Sequence, residues 1–409
     1  MKSGYVYRQC EKVVEESVEY NSVTLIRGAR QVGKSTLSQV VGRRHDALFY
    51  TLDDADVRAL VAADPKGFLG QARDRLVVID EVQRSPELIL AIKSAVDADR
   101  RPGMFLLTGS ADLSQLRGVG DSLAGRVEAV QLFPFSVGER RGVEREDFVT
   151  RFLRGELAPV QASLDAVDVI CGGYPNVYAL PQRRREAWVG SYLDALAGRD
   201  AREIGTRAFP VQFESLVRWF VAAGHAEVNI SRLARDLDSN RTSMAQYVDT
   251  LRMMFLVGEL PAFSRNILGR ETKQKKIGIV DTGLASAVTG FSEDMVFQPG
   301  GREYWGGLVE QFVVSELRKQ QQWSETTFRM FHYRSQFGEV DVVLELRDGR
   351  LILVEVKAGQ TFRAEWLKHL RSVGDAVGDR LAGSIILHGG STIAKADGVD
   401  ILPINALWS

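Results

Sequence analysis

The sequence predicts an α/β protein: a parallel sheet covered by helices, followed by helical and mixed α/β modules. Three observations carry this. From Val23 to Leu132 short apolar runs alternate with helix-length segments, the pattern of strand–helix–strand units. The first run, Val23–Ile26, leads into Gly28-Ala29-Arg30-Gln31-Val32-Gly33-Lys34-Ser35-Thr36, a glycine-bounded turn that opens a helix. A later run, Leu76–Ile79, ends in Asp80-Glu81, which puts two carboxylates at the carboxyl edge of that sheet.

Taken in order, residues 1–20 predict a leading helix with Val13, Val14 and Val18 on one face. The turn after Val23–Ile26 has the form G-x-x-x-x-G-K-[ST]. Its backbone amides, from Gly28 through Ala29, Arg30, Gln31, Val32 and Gly33 to Lys34, Ser35 and Thr36, form a positively polarised nest for phosphate oxygens, reinforced by the dipole of the following helix. Lys34 is expected to reach the β and γ phosphates of ATP, and Ser35 to hold Mg2+. Arg30 either touches phosphate or pairs with an acid elsewhere. A strand is expected at Ala47–Leu52 before the acidic one. Asp80 is then the candidate for the Mg2+ shell and Glu81 for orienting and activating the attacking water. Phe105–Thr108 is another strand, after which Thr108 or Ser110 either senses the γ phosphate or simply forms a turn. Arg126, before the strand Val127–Leu132, is the candidate to neutralise transition-state charge, in cis or, in a homo-oligomer, in trans. Phe133-Pro134-Phe135-Ser136 closes this module, placed at residues 1–139.

The composition is that of a globular chain, with 45% hydrophobic and 26% charged residues over 409 positions. A net charge of −1 supplies no global attraction to nucleic acid or membrane, so a DNA site has to be a local patch. Two cysteines, Cys10 and Cys171, offer neither a disulfide framework nor metal spacing. No run has the length of a signal-peptide core or a membrane span, and the expected compartment is the cytoplasm.

Residues 140–205 read as a helical linker with a turn at Gly172-Gly173-Tyr174-Pro175. Residues 206–280 read as a winged helix. Ile230, Leu233, Ala234 and Leu237 share a face of a short helix that Ser231 is placed to cap, and Met244, Tyr247, Val248 and Leu251 share a face of a second helix, the reading helix of such a module. Two wing strands follow, joined by a basic loop. Arg241, Arg265, Arg270, Lys273, Lys275 and Lys276 are the candidate DNA phosphate contacts.

Residues 281–409 carry a second set of acids. Trp305, Leu308, Val309, Phe312, Val313 and Leu317 form a helical apolar face with Glu310 at its edge. Gly338–Leu344 and Leu351–Lys357 read as a hairpin turned by Asp348-Gly349. Antiparallel pairing brings Asp341 near Glu355, and Glu355 and Lys357 share a face. One helical glutamate, one aspartate and Glu-x-Lys is the pattern of the PD-(D/E)xK nucleases. In that chemistry Asp341 and Glu355 hold a divalent metal and Lys357 orients the attacking water.

With these motifs in place, nearly the whole chain resembles the prokaryotic AAA-type ATPases fused to a C-terminal domain of unknown function, a winged helix followed by a restriction-endonuclease-like fold. The carrying segments are Gly28–Thr36, Leu76–Gln83, Leu106–Ser110, Leu123–Arg126, Leu132–Ser136, Gly172–Pro175, Ile279–Leu284, Gly307–Glu310, Gly338–Leu344 and Val354–Gly359. The resemblance implies an ATPase, hence a P-loop NTPase fold of the AAA type. The Asp281-Thr282-Gly283-Leu284 segment yields no chemistry of its own; Asp281 reads as a turn residue. The expectation is an ATP-hydrolysing protein that couples turnover to binding or remodelling DNA. A signalling ATPase that switches protein partners and an ATP-gated nuclease are the alternatives.

Overall fold

The structure, a computed structural model, describes residues 4–70, 74–110, 125–200, 209–264, 270, 273–336 and 338–409. The chain packs as two compact units: residues 1–135 with 253–255, and residues 136–252 with 256–409. The first division falls four residues before the expected boundary at 139, while those expected at 205 and 280 lie inside the second unit.

The first unit holds a five-stranded, all-parallel sheet of β1 (Val23–Arg27), β2 (Leu48–Thr51), β3 (Val77–Asp80), β4 (Phe105–Gly109) and β5 (Val127–Gln131), in the order β2-β3-β4-β1-β5. β4 therefore stands between the loop-bearing strand and the acidic strand. Val23 and Leu25 of β1, Ile79 of β3 and Leu107 of β4 share a core with Leu88 and Ile92 of the helix Pro86–Ala98. Each such side chain contributes roughly 1.5–3 kcal/mol by leaving water. That helix starts cleanly because Pro86 occupies its first turn, where a missing N–H costs nothing. The leading helix is shorter than expected, Glu11–Tyr20, and buries Val14 and Val18.

The second unit begins with short helices, among them Ala166–Cys171 and Gln182–Ala195. Next come the helix Phe209–Ala223, β6 (Ala226–Glu227), the helices Ile230–Asp236 and Arg241–Met253, then β7 (Val257–Leu260) and β8 (Lys276–Ile279). These strands form an antiparallel sheet in the order β6-β8-β7. β6 has no signal in the sequence. The cap on the first short helix is Asn229, whose side chain accepts from the Ser231 and Arg232 amides, and not Ser231.

The helix Gly301–Gln320 then leads into a six-stranded mixed sheet ordered β13-β14-β12-β11-β10-β9. β9 (Phe328–Ser335), β10 (Gly338–Leu346) and β11 (Leu351–Lys357) form an antiparallel meander. The helix Leu367–Val377 crosses to β12 (Leu381–His388), parallel to β11. β13 (Ala394–Ala396) and β14 (Val399–Pro403) complete the sheet. Leu370 and Val373 pack on Val340, Val343, Leu353 and Ile386. Gly349, with φ +84°, makes the β10–β11 turn, and Asp348 accepts the Arg350 amide. Among the described residues no helix is long and apolar enough to cross a membrane.

Candidate functional site

The sheet of the first unit gathers the nucleotide candidates at one edge. Gly28 follows β1, and a Cβ there would stand 2.1 Å from the Leu132 carbonyl oxygen, so only glycine lets the loop lie this close to the chain after β5. The helix Lys34–Arg44 starts at Gly33 and aims its N-terminus at the loop. The Lys34 ammonium is buried inside the turn and donates to the carbonyls of Gly28 (3.1 Å) and Ala29 (2.9 Å). The Ser35 hydroxyl donates to Asp80 at 2.8 Å from Oδ1 and 3.0 Å from Oδ2. Thr36 and Gln31 are exposed, while Ala29 and Val32 are buried.

Thr108 corrects one expectation. It is fully buried, donates from Oγ1 to Asp80 Oδ1 at 2.5 Å, and accepts the Glu81 amide at 3.1 Å. With both functions engaged it braces the carboxylates from behind and does not face a γ phosphate. Glu81 sits at φ +57°, an uncommon backbone for glutamate that turns its side chain out of the strand line. Its Oε2 accepts from Ser110 at 2.9 Å and from Gln83, whose amide also reaches Ser110 at 2.9 Å.

Arg126 corrects another. The register Val23↔Val127 puts Arg126 at the start of β5, the edge opposite the loop. Five strand residues at about 3.3 Å each separate the two, roughly 16 Å, so a role in cis is closed. Its guanidinium is held by Asp97 at 2.6 Å. Leu123, just before it, lies outside the described residues. Arg8 carries no motif that marks it in the sequence. This buried side chain donates to the Val32 carbonyl at 2.9 Å and the Phe133 carbonyl at 2.7 Å, and stacks over Phe135. It ties the phosphate loop to the segment after β5.

Ser35, Asp80 and the loop amides suit Mg2+ and a triphosphate: a hydroxyl and a carboxylate within hydrogen-bond distance at the mouth of a helix N-terminus.

The second acid set also assembles. The β10–β11 ladder runs to Val342↔Val354, and one step further Asp341 faces Glu355. A bulge between Val340 and Val343 interrupts the pairing with β9 at this point and re-aims Asp341, whose Oδ2 accepts the Val356 amide at 2.8 Å. Glu310 comes in from the helix Gly301–Gln320. Each carboxylate already has a partner. Lys357 Nζ is 2.6 Å from Glu355 Oε1. Glu310 Oε1 accepts from Lys276 at 2.9 Å and lies 3.2 Å from His225 Nδ1. Lys276 also stands 3.5 Å from Glu339.

Burial alone pushes the Glu310 carboxyl up. The His225 hydrogen bond and the Lys276 ammonium outweigh it and hold the group down at about 2. Burial, then the charges of Glu310 and Glu355, push Asp341 well above the usual carboxylate range. Burial also raises Glu355, against the pull of Lys357, and lowers His225. Glu310 and Glu355 thus stand against Lys276 and Lys357, and the surroundings of Asp341 favour its protonated form. Among the described residues no three histidine, cysteine or acidic side chains stand where they would hold a metal ion.

The basic DNA candidates fare unevenly. Lys276 faces inward, its side chain 7% exposed. Arg270 makes a two-pronged pair with Glu345 at 2.8 Å and lies over the rings of Phe263 and Phe331. Neither is free for a phosphate backbone, since each is already neutralised by a carboxylate beside it. Lys275 pairs with Glu259 at 3.1 Å. Arg241 and Lys273 are exposed, and Arg265 lies outside the described residues.

The Asp281 segment gains a reason. Asp281 caps the helix Thr282–Thr289 through the Leu284 amide at 3.1 Å and accepts the Gly173 amide at 2.8 Å. A Cβ on Gly172 would lie 2.2 Å from Asp281 Oδ1, and one on Gly283 would lie 2.5 Å from the Cys171 carbonyl. The Gly172–Pro175 turn and the Asp281–Leu284 turn are thus two halves of one joint, closed by Thr282 donating to the Val169 carbonyl at 2.6 Å.

Comparisons with known proteins match three stretches of the chain. Residues 20–140 match a family described as an AAA domain, 168–295 a domain of unknown function (DUF8612), and 305–407 another (DUF4143). Two mycobacterial relatives, the uncharacterized proteins Rv2008c of Mycobacterium tuberculosis and Mb2031c of Mycobacterium bovis, are each 29% identical over 83% of this chain and 71% of their own length. Among solved structures, a Walker-type ATPase of Pyrococcus abyssi aligns over 70% of this chain and 97% of its own, at 16% identity and a TM-score of 0.42. AMPPCP-bound DnaA of Aquifex aeolicus aligns over 62% and 89%, at 15% identity and a TM-score of 0.30. The chain is thus similar to an AAA domain in its first part and to two domains of unknown function in the rest.

Proposed function

We propose that this protein binds ATP with Mg2+ at the β1 loop, hydrolyses it, and couples the turnover to association with DNA. The observation that carries the ATPase reading is the Ser35–Asp80–Thr108 hydrogen-bonded cluster at the carboxyl edge of the parallel sheet, directly beneath the phosphate loop. When bound, Mg2+ would supply charge neutralisation on the β and γ phosphates, with Ser35 and Asp80 as the residues to hold it. The remaining work falls to the chain. Loop amides and Lys34 orient the phosphates. Thr108 fixes the direction of Asp80 and the backbone of Glu81. Ser110 and Gln83 hold one oxygen of Glu81, leaving the other to take a proton from water. A role for Arg126 requires a second copy of the chain and release from Asp97.

The DNA reading rests on the helix–strand–helix–helix–strand–strand order between Phe209 and Ile279, which we read as a winged helix, and on exposed Arg241 at the head of its longer helix. In this reading the mixed-sheet part, whose acids are already paired, cuts no DNA. Burial of Lys276 and Arg270 favours the rival reading, in which nucleotide state switches protein partners.

ATP turnover measured with duplex, forked, four-way and single-stranded DNA separates the two. The DNA reading expects stimulation by at least one of these, reduced by the double charge reversal Arg241→Glu/Lys273→Glu and weakening as salt rises. Turnover indifferent to all four supports the partner-switching reading.

A further inference from the structure

The acids of the second unit follow the residue pattern of a divalent-metal site, yet their geometry and partners do not fit one. Hard cations need several carboxylate oxygens converging at about 2.0–2.6 Å. Here each acid has an oxygen committed: Glu310 to Lys276 and His225, Asp341 to the Val356 amide, Glu355 to Lys357. We propose that the Lys276 ammonium is the resident cation of this cluster and bars a divalent metal from it, so that the cluster becomes a metal site only when Lys276 is removed or withdrawn.

The placement of Lys276 supports a fixed role. It is not on the meander or the glutamate helix but on β8, the central strand of the three-stranded sheet, with Glu227 opposite on one side and Leu260 on the other. All four residues of β8 are buried. Two ladders thus hold the lysine's backbone, and a slip of one residue would turn every side chain of the strand to the wrong face. Its side chain is buried and its tip meets the acids. An ammonium so desolvated is tolerated only with carboxylates beside it, and Glu310 and Glu339 provide them. His225, just before β6, adds a second donor to the same oxygen of Glu310. The three-stranded sheet and its approach thereby supply two groups that hold a glutamate belonging to another part of the unit.

One atom marks where an ion would be taken up. Glu355 Oε2 is buried without a hydrogen-bond partner, although the side chain is only 9% exposed. With Lys276 gone, Glu310 loses its ammonium partner, and Glu310 and Glu355 then each present an oxygen to a cation beside Asp341. A divalent cation would compensate the charges of Glu310 and Glu355.

The test is a Mn2+ titration of the full-length, nucleotide-free protein, reading free Mn2+ by electron paramagnetic resonance. Wild type is expected to show no Mn2+ site that Asp341→Asn removes. Lys276→Met is expected to gain a site at least about tenfold tighter than any in wild type, and to lose it again in the double variant with Asp341→Asn. Lys276→Arg, which keeps the charge, should remain metal-free. A Mn2+ site in wild type that disappears in Asp341→Asn overturns the proposal, as does a folded Lys276→Met protein that gains nothing, or metal binding by Lys276→Arg. If Lys276→Met fails to fold, the wild-type and Asp341→Asn titrations decide alone. None of these readings uses ATP, so the result stands apart from the ATPase reading above.

Discussion

At the end of β3 the Asp80 carboxylate is met by two hydroxyls, from Ser35 and Thr108, whereas in the second unit Glu310 and Glu355 are met by two ammonium groups, from Lys276 and Lys357. Both places have acids at a strand end and a lysine nearby. They differ in what holds the acids. A hydroxyl orients a carboxylate and leaves its charge available. An ammonium cancels the charge: two unit charges about 4 Å apart near a protein surface are worth about 4 kcal/mol at an effective dielectric constant of about 20, and an incoming cation has to replace that. The lysine of the first site, Lys34, is kept away from Asp80 by the loop carbonyls it binds. In the reading proposed here the first site accepts a cation and the second already contains its own.

The sharpest way to break this contrast is at the first site. Lys34→Ala should cut ATP turnover at least about a hundredfold, and Glu81→Gln should do the same while nucleotide affinity, read by calorimetry, is retained. Comparable turnover in both variants would remove the catalytic half of the comparison. A smaller effect tests the loop's anchorage. Arg8→Ala leaves two carbonyls without their buried donor, a loss of about 1–3 kcal/mol, expected as a raised KM for ATP with a lesser fall in kcat. An unchanged KM would show that the loop holds its shape without this tie.

The smallest effect concerns pH. Burial, then Glu310 and Glu355, raise the Asp341 carboxyl, so the folded state favours its protonated form. Folding with that proton is fully favourable below the unfolded value, about 3.9, and stability is lost as pH climbs from there through the folded value. Asp341→Asn removes this loss, so its stability relative to wild type should rise with pH from 4 upward in urea unfolding at several pH values. Glu310 has the opposite sign. Its carboxyl, held at about 2, contributes stability above its unfolded value that drains away only in acid, and Glu310→Gln should therefore narrow the gap to wild type as pH falls. A flat profile for Asp341→Asn would mean that the acid is ionised and solvated, contrary to the charge balance drawn here.

Much of the first unit was readable because its signals are local. A glycine-bounded turn after an apolar run, and a second run ending in acids, each fix their own strand and edge. The β10–β11 hairpin was readable for the same reason, since Asp348-Gly349 sets the register that puts Asp341 opposite Glu355. What stayed hidden depends on distant partners. The run Lys273 to Lys276 looks like one solvated basic loop, yet Lys276 begins a buried central strand and points at acids more than thirty positions away in sequence, as its pairing with Glu310 shows. Arg126 precedes an apolar strand in a way that suggests a catalytic finger, but the parallel register carries it to the far edge. Thr108 reads as a phosphate sensor until its two hydrogen bonds are counted. The Gly172 and Asp281 turns carry no meaning singly, because their reason is the close approach of one to the other.

The measurement that bears most directly on the contrast is Mn2+ binding to the full-length protein with and without a non-hydrolysable ATP analogue. The account predicts a nucleotide-dependent Mn2+ site that Asp80→Asn removes, and no site in the absence of nucleotide that Asp341→Asn removes. Mn2+ held without nucleotide and released by Asp341→Asn, or no nucleotide-dependent site at all, would contradict it.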